Sequence, residues 1–261
     1  MNVSQPNTLL PYQIEEASGY SSFVPKDVYN LFVYIQTKDR SKLYPKELIR
    51  VFLNPNIPFP IYNFKSKILD LLNVKYFLIP KVITIEPQYA SKVFDGDCSI
   101  YENKDYLPRA FVVSDYKIIN SPIDTIQQLD SEEFDPRKIV ILMSDPHVIA
   151  SKSKMASNVS INFLNYDQDN IKLKVKVNQA SFLILGNNLN NNWKVKINGK
   201  ESTHFQANLV QRAVYLPKAG SYLLEFYYYS KLFLIGVFIT CFALLVLGLI
   251  AVLLNKQVKT K

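Results

Sequence analysis

"NIKLKVKVNQASFLILGNNLNNNWKVKINGK" (residues 170–200) holds two kinds of strand and a turn. From Ile171 to Val177 aliphatic residues alternate with Lys, the period-two pattern of a strand with one dry and one wet face. "SFLIL" (residues 181–185) follows as a more continuously apolar strand. In "WKVKINGK" (residues 193–200), Trp193 shares parity with Val195 and Ile197, while Lys194, Lys196 and Asn198 take the other face. Trp193 is therefore expected to pack in a core rather than stack on a sugar. Asn198-Gly199 predicts a two-residue type I′ hairpin, and the Asn tract at residues 187–192 reads as a loop. With "RAVYLP" (residues 212–217) and "GSYLLEFYYY" (residues 220–229), about five short strands divided by turn residues predict a β-sandwich over residues 151–230.

Residues 1–150 have a different texture. Short apolar runs are punctuated by Pro and Asn, which suggests an α+β region. "KSKILDLLNVKYFLIPK" (residues 65–81) reads as a short helix leading into a strand stopped at Pro80. "YPKELIRVFLN" (residues 44–54) reads as a helix with Pro45 in its first turn. "CSIYEN" and "RAFVVSDYKII" read as strands, and residues 122–129 as a helix whose start is capped or charged by Asp124 and the residues around it. A loop and a strand at residues 139–143 follow.

Past the sandwich, residues 232–254 carry no charge and are long enough to cross a hydrocarbon core of about 30 Å. A transmembrane helix is expected over residues 231–255, with Tyr227, Tyr228, Tyr229 and Lys231 at its interface. Thr240 fits inside it by bonding a carbonyl one turn back. Lys256, Lys259 and Lys261 make residues 256–261 a basic tail, which the positive-inside rule places in the cytoplasm with the folded part outside. The first twenty residues lack the basic and apolar regions of a signal peptide. The two signals are reconciled if the chain is the end of a longer polytopic protein.

The apolar share of 48 % supplies a real core, which argues against general disorder. A net charge of +8 fits an anionic partner or a solvated Lys-rich surface; no basic cluster interleaved with aromatics points to nucleic acid. Cys98 and Cys241 fall in the soluble and oily parts, so no disulfide is expected. No nucleophile elbow, phosphate loop, dinucleotide fingerprint or zinc-protease motif occurs, and no catalytic residue, cofactor or metal is assigned. His147 and His204 lack companions at zinc-ligand spacing. "DGD" (residues 95–97) and "DQDN" (residues 167–170) read as turns, with calcium as the other reading. Arg109, in "LPRAF", has the fork to grip a phosphate, with a structural ion pair as the other reading, and with Lys194 and Lys196 it completes the ligand-contact candidates.

The order of motifs resembles the C-terminal part of YfhO-like bacterial membrane proteins, relatives of GT-C-type glycosyltransferases. The residues that carry the resemblance are Trp193, Asn198-Gly199-Lys200, Asn208, Arg212-Ala213-Val214, Leu216-Pro217, Gly220, and Glu225-Phe226 with Tyr228. Upstream, "LLNVKYFL", "YENKDYLPRAFVV" and "EFDPRKIVIL" are similar to the family's signatures in the same order. Two positions depart from it: Asn192 stands before Trp193 and Asn198 before Gly199, where the family has Gly and an acidic residue. The family's multi-span block, with its catalytic acidic residue, has no counterpart here. The resemblance implies an extracytoplasmic accessory region of a polytopic cell-envelope protein linked to lipid-linked sugar transfer. Its partners would be the bilayer, an upstream multi-span block, and anionic lipid or envelope glycan. A membrane-anchored carbohydrate-binding or adhesion module is the alternative.

Overall fold

The computed structural model describes residues 10–12, 14–17, 25–44, 64–148, 158–186 and 192–259. The helix expected at residues 44–54 and most of the Asn tract lie outside the described residues. The architecture is a small α+β part, a β-sandwich and one long apolar helix at the C-terminal end.

Among the described residues, fourteen strands form three sheets. The first sheet is β1 (Tyr76–Ile79), β3 (Ser99–Asn103) and β2 (Ala90–Asp95), in that order. The second has six strands: β4 (Ala110–Val113), β9 (Ser181–Leu185), β13 (Gln211–Leu216), β12 (Phe205–Ala207), β6 (Ile139–Leu142) and β5 (Asp115–Ile118). The third has five: β11 (Lys200–Ser202), β10 (Trp193–Ile197), β14 (Gly220–Tyr228), β8 (Asn170–Val177) and β7 (Ser160–Tyr166). The six-stranded sheet takes strands from both sides of residue 150, so the change of texture there falls within one continuous sheet.

That sheet is the middle of three layers. Leu183, Leu185, Val214 and Leu216 face Leu173, Val175, Val195 and Phe226 of the five-stranded sheet. Phe182, Ile184 and Ala213 face the other way, toward α1 (Lys26–Thr37), α2 (Lys67–Leu71), α3 (Pro122–Leu129) and the small sheet. All five residues of β9 are therefore buried, while β8 alternates buried Ile171, Leu173, Val175 and Val177 with its wetter lysines.

Local chemistry sets the ends. Ser121 caps α3: its hydroxyl accepts the Asp124 amide at 3.3 Å, with Pro122 at the first position. Asp124 charges that turn and pairs with Arg40 at 2.8 Å. β5, α3 and β6 form a parallel crossover, the one kind of parallel pairing among the described strands. Asn198 and Gly199 take φ of 51° and 80°, and Ile197 pairs with Lys200, as a type I′ hairpin requires. Where β12 meets β6, a side chain continues the ladder: Asn208 Oδ1 accepts the Ile141 amide at 3.0 Å. Its Nδ2 donates to Gln211 Oε1 at 2.8 Å, and Gln211 Nε2 donates to the Leu71 carbonyl at 2.7 Å. This buried chain joins sheet, hairpin and α2.

α4 (Lys231–Lys259) is the apolar helix. It is long and apolar enough to cross a membrane, and none of its most apolar window is buried against the rest of the protein. Thr240 Oγ1 donates to the Gly236 carbonyl at 2.9 Å, one turn back.

Candidate functional site at the helix-bearing end of the sandwich

Strand register defines which end of the sandwich carries α4. β14 ends at Tyr228, opposite Trp193; its Tyr227 lies opposite Asn170, and Tyr166 lies opposite Ile171. On the facing sheet, Arg212 lies opposite Leu185, next to Gly186.

Arg212 shares parity with Val214 and Leu216, so it points between the sheets and is only 1 % exposed. Its guanidinium carbon sits 4.3 Å from the centre of the Trp193 ring, and the indole meets Tyr228 edge-on at 6.0 Å. A cation over an indole in a desolvated place is worth about 2 kcal/mol. Burial pushes the guanidinium down to about 10, still far above neutral, so Arg212 remains charged. His204 is held below the usual histidine range by burial, then by the charges of Arg212 and Lys194. It is neutral at neutral pH.

Arg109 enters this end from the loop before β4. The Gly186 amide donates to the Arg109 carbonyl at 2.7 Å, and Arg109 Nη1 donates back to the Gly186 carbonyl at 2.9 Å. A Cβ on Gly186 would meet the Arg109 carbonyl oxygen at 3.2 Å, so a side chain there would push the two backbones apart by a few tenths of an ångström. Arg109 Nη2 pairs with Glu15, whose other oxygen accepts the Tyr166 hydroxyl at 3.1 Å. The segment of residues 14–17 is thereby tied across both sheets at this end.

Asn192 closes the junction with α4. Its Nδ2 donates to the Tyr228 hydroxyl at 2.9 Å and its carbonyl accepts the Tyr229 amide at 2.8 Å. The Tyr228 amide donates to the Asp169 carbonyl at 2.8 Å. Ser230 then caps α4 through the Phe233 amide at 3.2 Å.

Of the three expected ligand-contact residues, only Arg109 lies in this cluster. Trp193 and Val195 face the core, so Lys194 and Lys196 point outward, on the face shared with Lys172, Lys174 and Lys176. Lys196 lies 3.8 Å from Glu201 and 4.8 Å from the Tyr227 ring centre. Arg212 and Glu15 were not among the expected residues. The parity of Arg212 with Val214 and Leu216 is a signal in the sequence; Glu15 has none. The two acidic stretches close hairpins: Gly96 donates to the Cys98 carbonyl at 3.0 Å, and Asp167 to the Asn170 carbonyl at 2.9 Å. Among the described residues, no group of three or more His, Cys, Asp and Glu converges. His147 is exposed and its imidazole lies 3.7 Å from Asp145.

Chemically, this end offers a fixed cation on an aromatic face, a neutral imidazole, and tyrosines beside the start of α4. Arg212 is buried, so its cation braces Trp193 inside the sandwich, while Tyr166, Tyr228 and Tyr229 are exposed beside the start of α4. No family model, curated protein or solved structure matches the chain.

Proposed function

We propose that this chain is the extracytoplasmic accessory region of a polytopic, GT-C-like membrane protein that serves lipid-linked sugar transfer in envelope glycan assembly. It supplies no catalytic residue. It frames the membrane-embedded reaction from above, with the helix-bearing end of the sandwich turned toward the bilayer.

One observation carries this reading. The early segment, through Glu15, and the start of α4, after Tyr228, meet the head at the same end. A folded region borne between membrane spans needs its incoming and outgoing chain on one face. The ordered resemblance to YfhO-like proteins gives the class of reaction.

The test uses the protein in its native host. Lys218→Cys, in a Cys98→Ser background, places one thiol in the loop between β13 and β14, at the end away from α4. Labelling of intact cells by a membrane-impermeant maleimide is expected. Labelling only after permeabilisation would overturn the orientation. Removal of the head is expected to raise the pool of lipid-linked sugar, and an unchanged pool would overturn the role.

A further inference from the structure

We infer that the head is seated in the headgroup layer of the bilayer by a collar of its own, made of Tyr12, Ile14, Tyr166, Tyr228 and Tyr229. The inference takes α4 as a span and holds whichever side of the membrane the head occupies.

Two observations lead there. The first is the absence of slack. Tyr228 and Tyr229 both donate their amides to the head, at Asp169 and Asn192, and the next residue, Ser230, already caps α4. A helix that enters lipid at Leu232 therefore holds this end of the sandwich against the headgroups. The second is what that end exposes. Tyr12 is 74 % exposed and Ile14 51 %, while Tyr166, Tyr228 and Tyr229 are each about two-fifths exposed. Tyr12 and Ile14 are close in sequence to Glu15, which is fastened to Arg109 and Tyr166. They thus share an end with Tyr228, although more than two hundred residues separate them in the chain.

The chemistry commits the occupant. A tyrosine has an apolar body and a polar tip, and it partitions to the boundary between acyl chains and headgroups. Exposed side chains of this kind, drawn from the early segment, β7 and β14, are costly against bulk water and suited to that boundary. The partner is the phospholipid surface of the membrane that takes α4. Neither a nucleic acid nor a second head explains why the exposed side chains gather where the helix departs.

Trp193 is the only tryptophan and lies at this end, so it reports depth directly. The full chain would be placed in phosphatidylcholine nanodiscs carrying a nitroxide on the headgroup or deep in the acyl chain. Headgroup nitroxide is expected to quench Trp193 emission about twofold more than the deep label, as fits an interfacial aromatic belt. A flexible Gly-Ser insert of about six residues between Tyr229 and Ser230 would then add roughly 13 Å of leash. A collar that binds lipid keeps the headgroup quenching with the insert. Adding Tyr12→Ser and Ile14→Ser to the insert is expected to abolish it. Both side chains are exposed, and unchanged thermal unfolding would certify that the fold survives. Loss of quenching on insertion alone, or no preferential headgroup quenching in the original chain, would overturn the collar. Failure of the chain to enter nanodiscs at all would instead remove α4 as a span.

Discussion

β8 buries one face and β9 buries both, although only Asn178, Gln179 and Ala180 lie between them. β8 belongs to an outer layer and can carry Lys172, Lys174 and Lys176. β9 belongs to the layer between two cores, where a lysine ammonium would have no water on either side. The contrast shows that the tolerance of this protein for substitution is set by layer, not by position along the chain.

The contrast breaks most directly at Phe182. Its ring meets Tyr116, Tyr215 and Phe205 at centroid distances of 5.4, 5.1 and 6.4 Å. Phe182→Ala is expected to cost about 3–5 kcal/mol in denaturant unfolding of the detergent-solubilised chain. Lys174→Ala on β8 should stay within about 0.5 kcal/mol. Equal losses would mean that the six-stranded sheet is not the central layer. Next in size is Asn208→Ala, which strands the buried Ile141 amide and the Gln211 side chain. A loss of about 2–3 kcal/mol is expected from the same unfolding curves, and a neutral result would show that the side-chain ladder is dispensable.

The outer sheet gives smaller effects. Gly199→Ala keeps all contacts, since nothing lies within 4 Å of the new Cβ, but it forces a side chain to φ of 80°. The penalty is expected near 1 kcal/mol, read as a lowered melting temperature. The smallest effect is a slope. His204 has a depressed value in the fold, so the unfolded chain binds its proton first as pH falls. Stability should decline as pH drops below the ordinary histidine value of about 6.5 toward the folded value, and remain level above it. His204→Gln should flatten that part of the pH–stability profile; an unchanged slope would assign it to another group.

Much of the fold is written locally. The lysine alternation of β8, the Asn-Gly turn and the strand–helix–strand run from Asp115 to Leu142 can each be read within a window of the chain. α1 is harder to read, although Pro25 and Asp27 mark its start, because Asn30 to Ile35 are buried in an unbroken run and blur the helical period. Layer order is different in kind. β4 pairs with β9 across some seventy residues, and no local pattern says which apolar strand will cover which. The cluster at the helix-bearing end is partly legible. Trp193 and Arg212 both fall on dry faces by parity, but their stacking depends on two sheets meeting. The tie from Glu15 to Arg109 and Tyr166 is a product of tertiary structure alone.

The direct passage from β14 into α4 makes the molecule a lever. Nine residues of β14 reach about 30 Å above the junction. A neighbour that tips the helix by about 20°, an ordinary inclination for a span, would swing the far tip of the sandwich through roughly 10 Å. A small change in the tilt of α4 would thus be read out as a large displacement of the sandwich's distal loops.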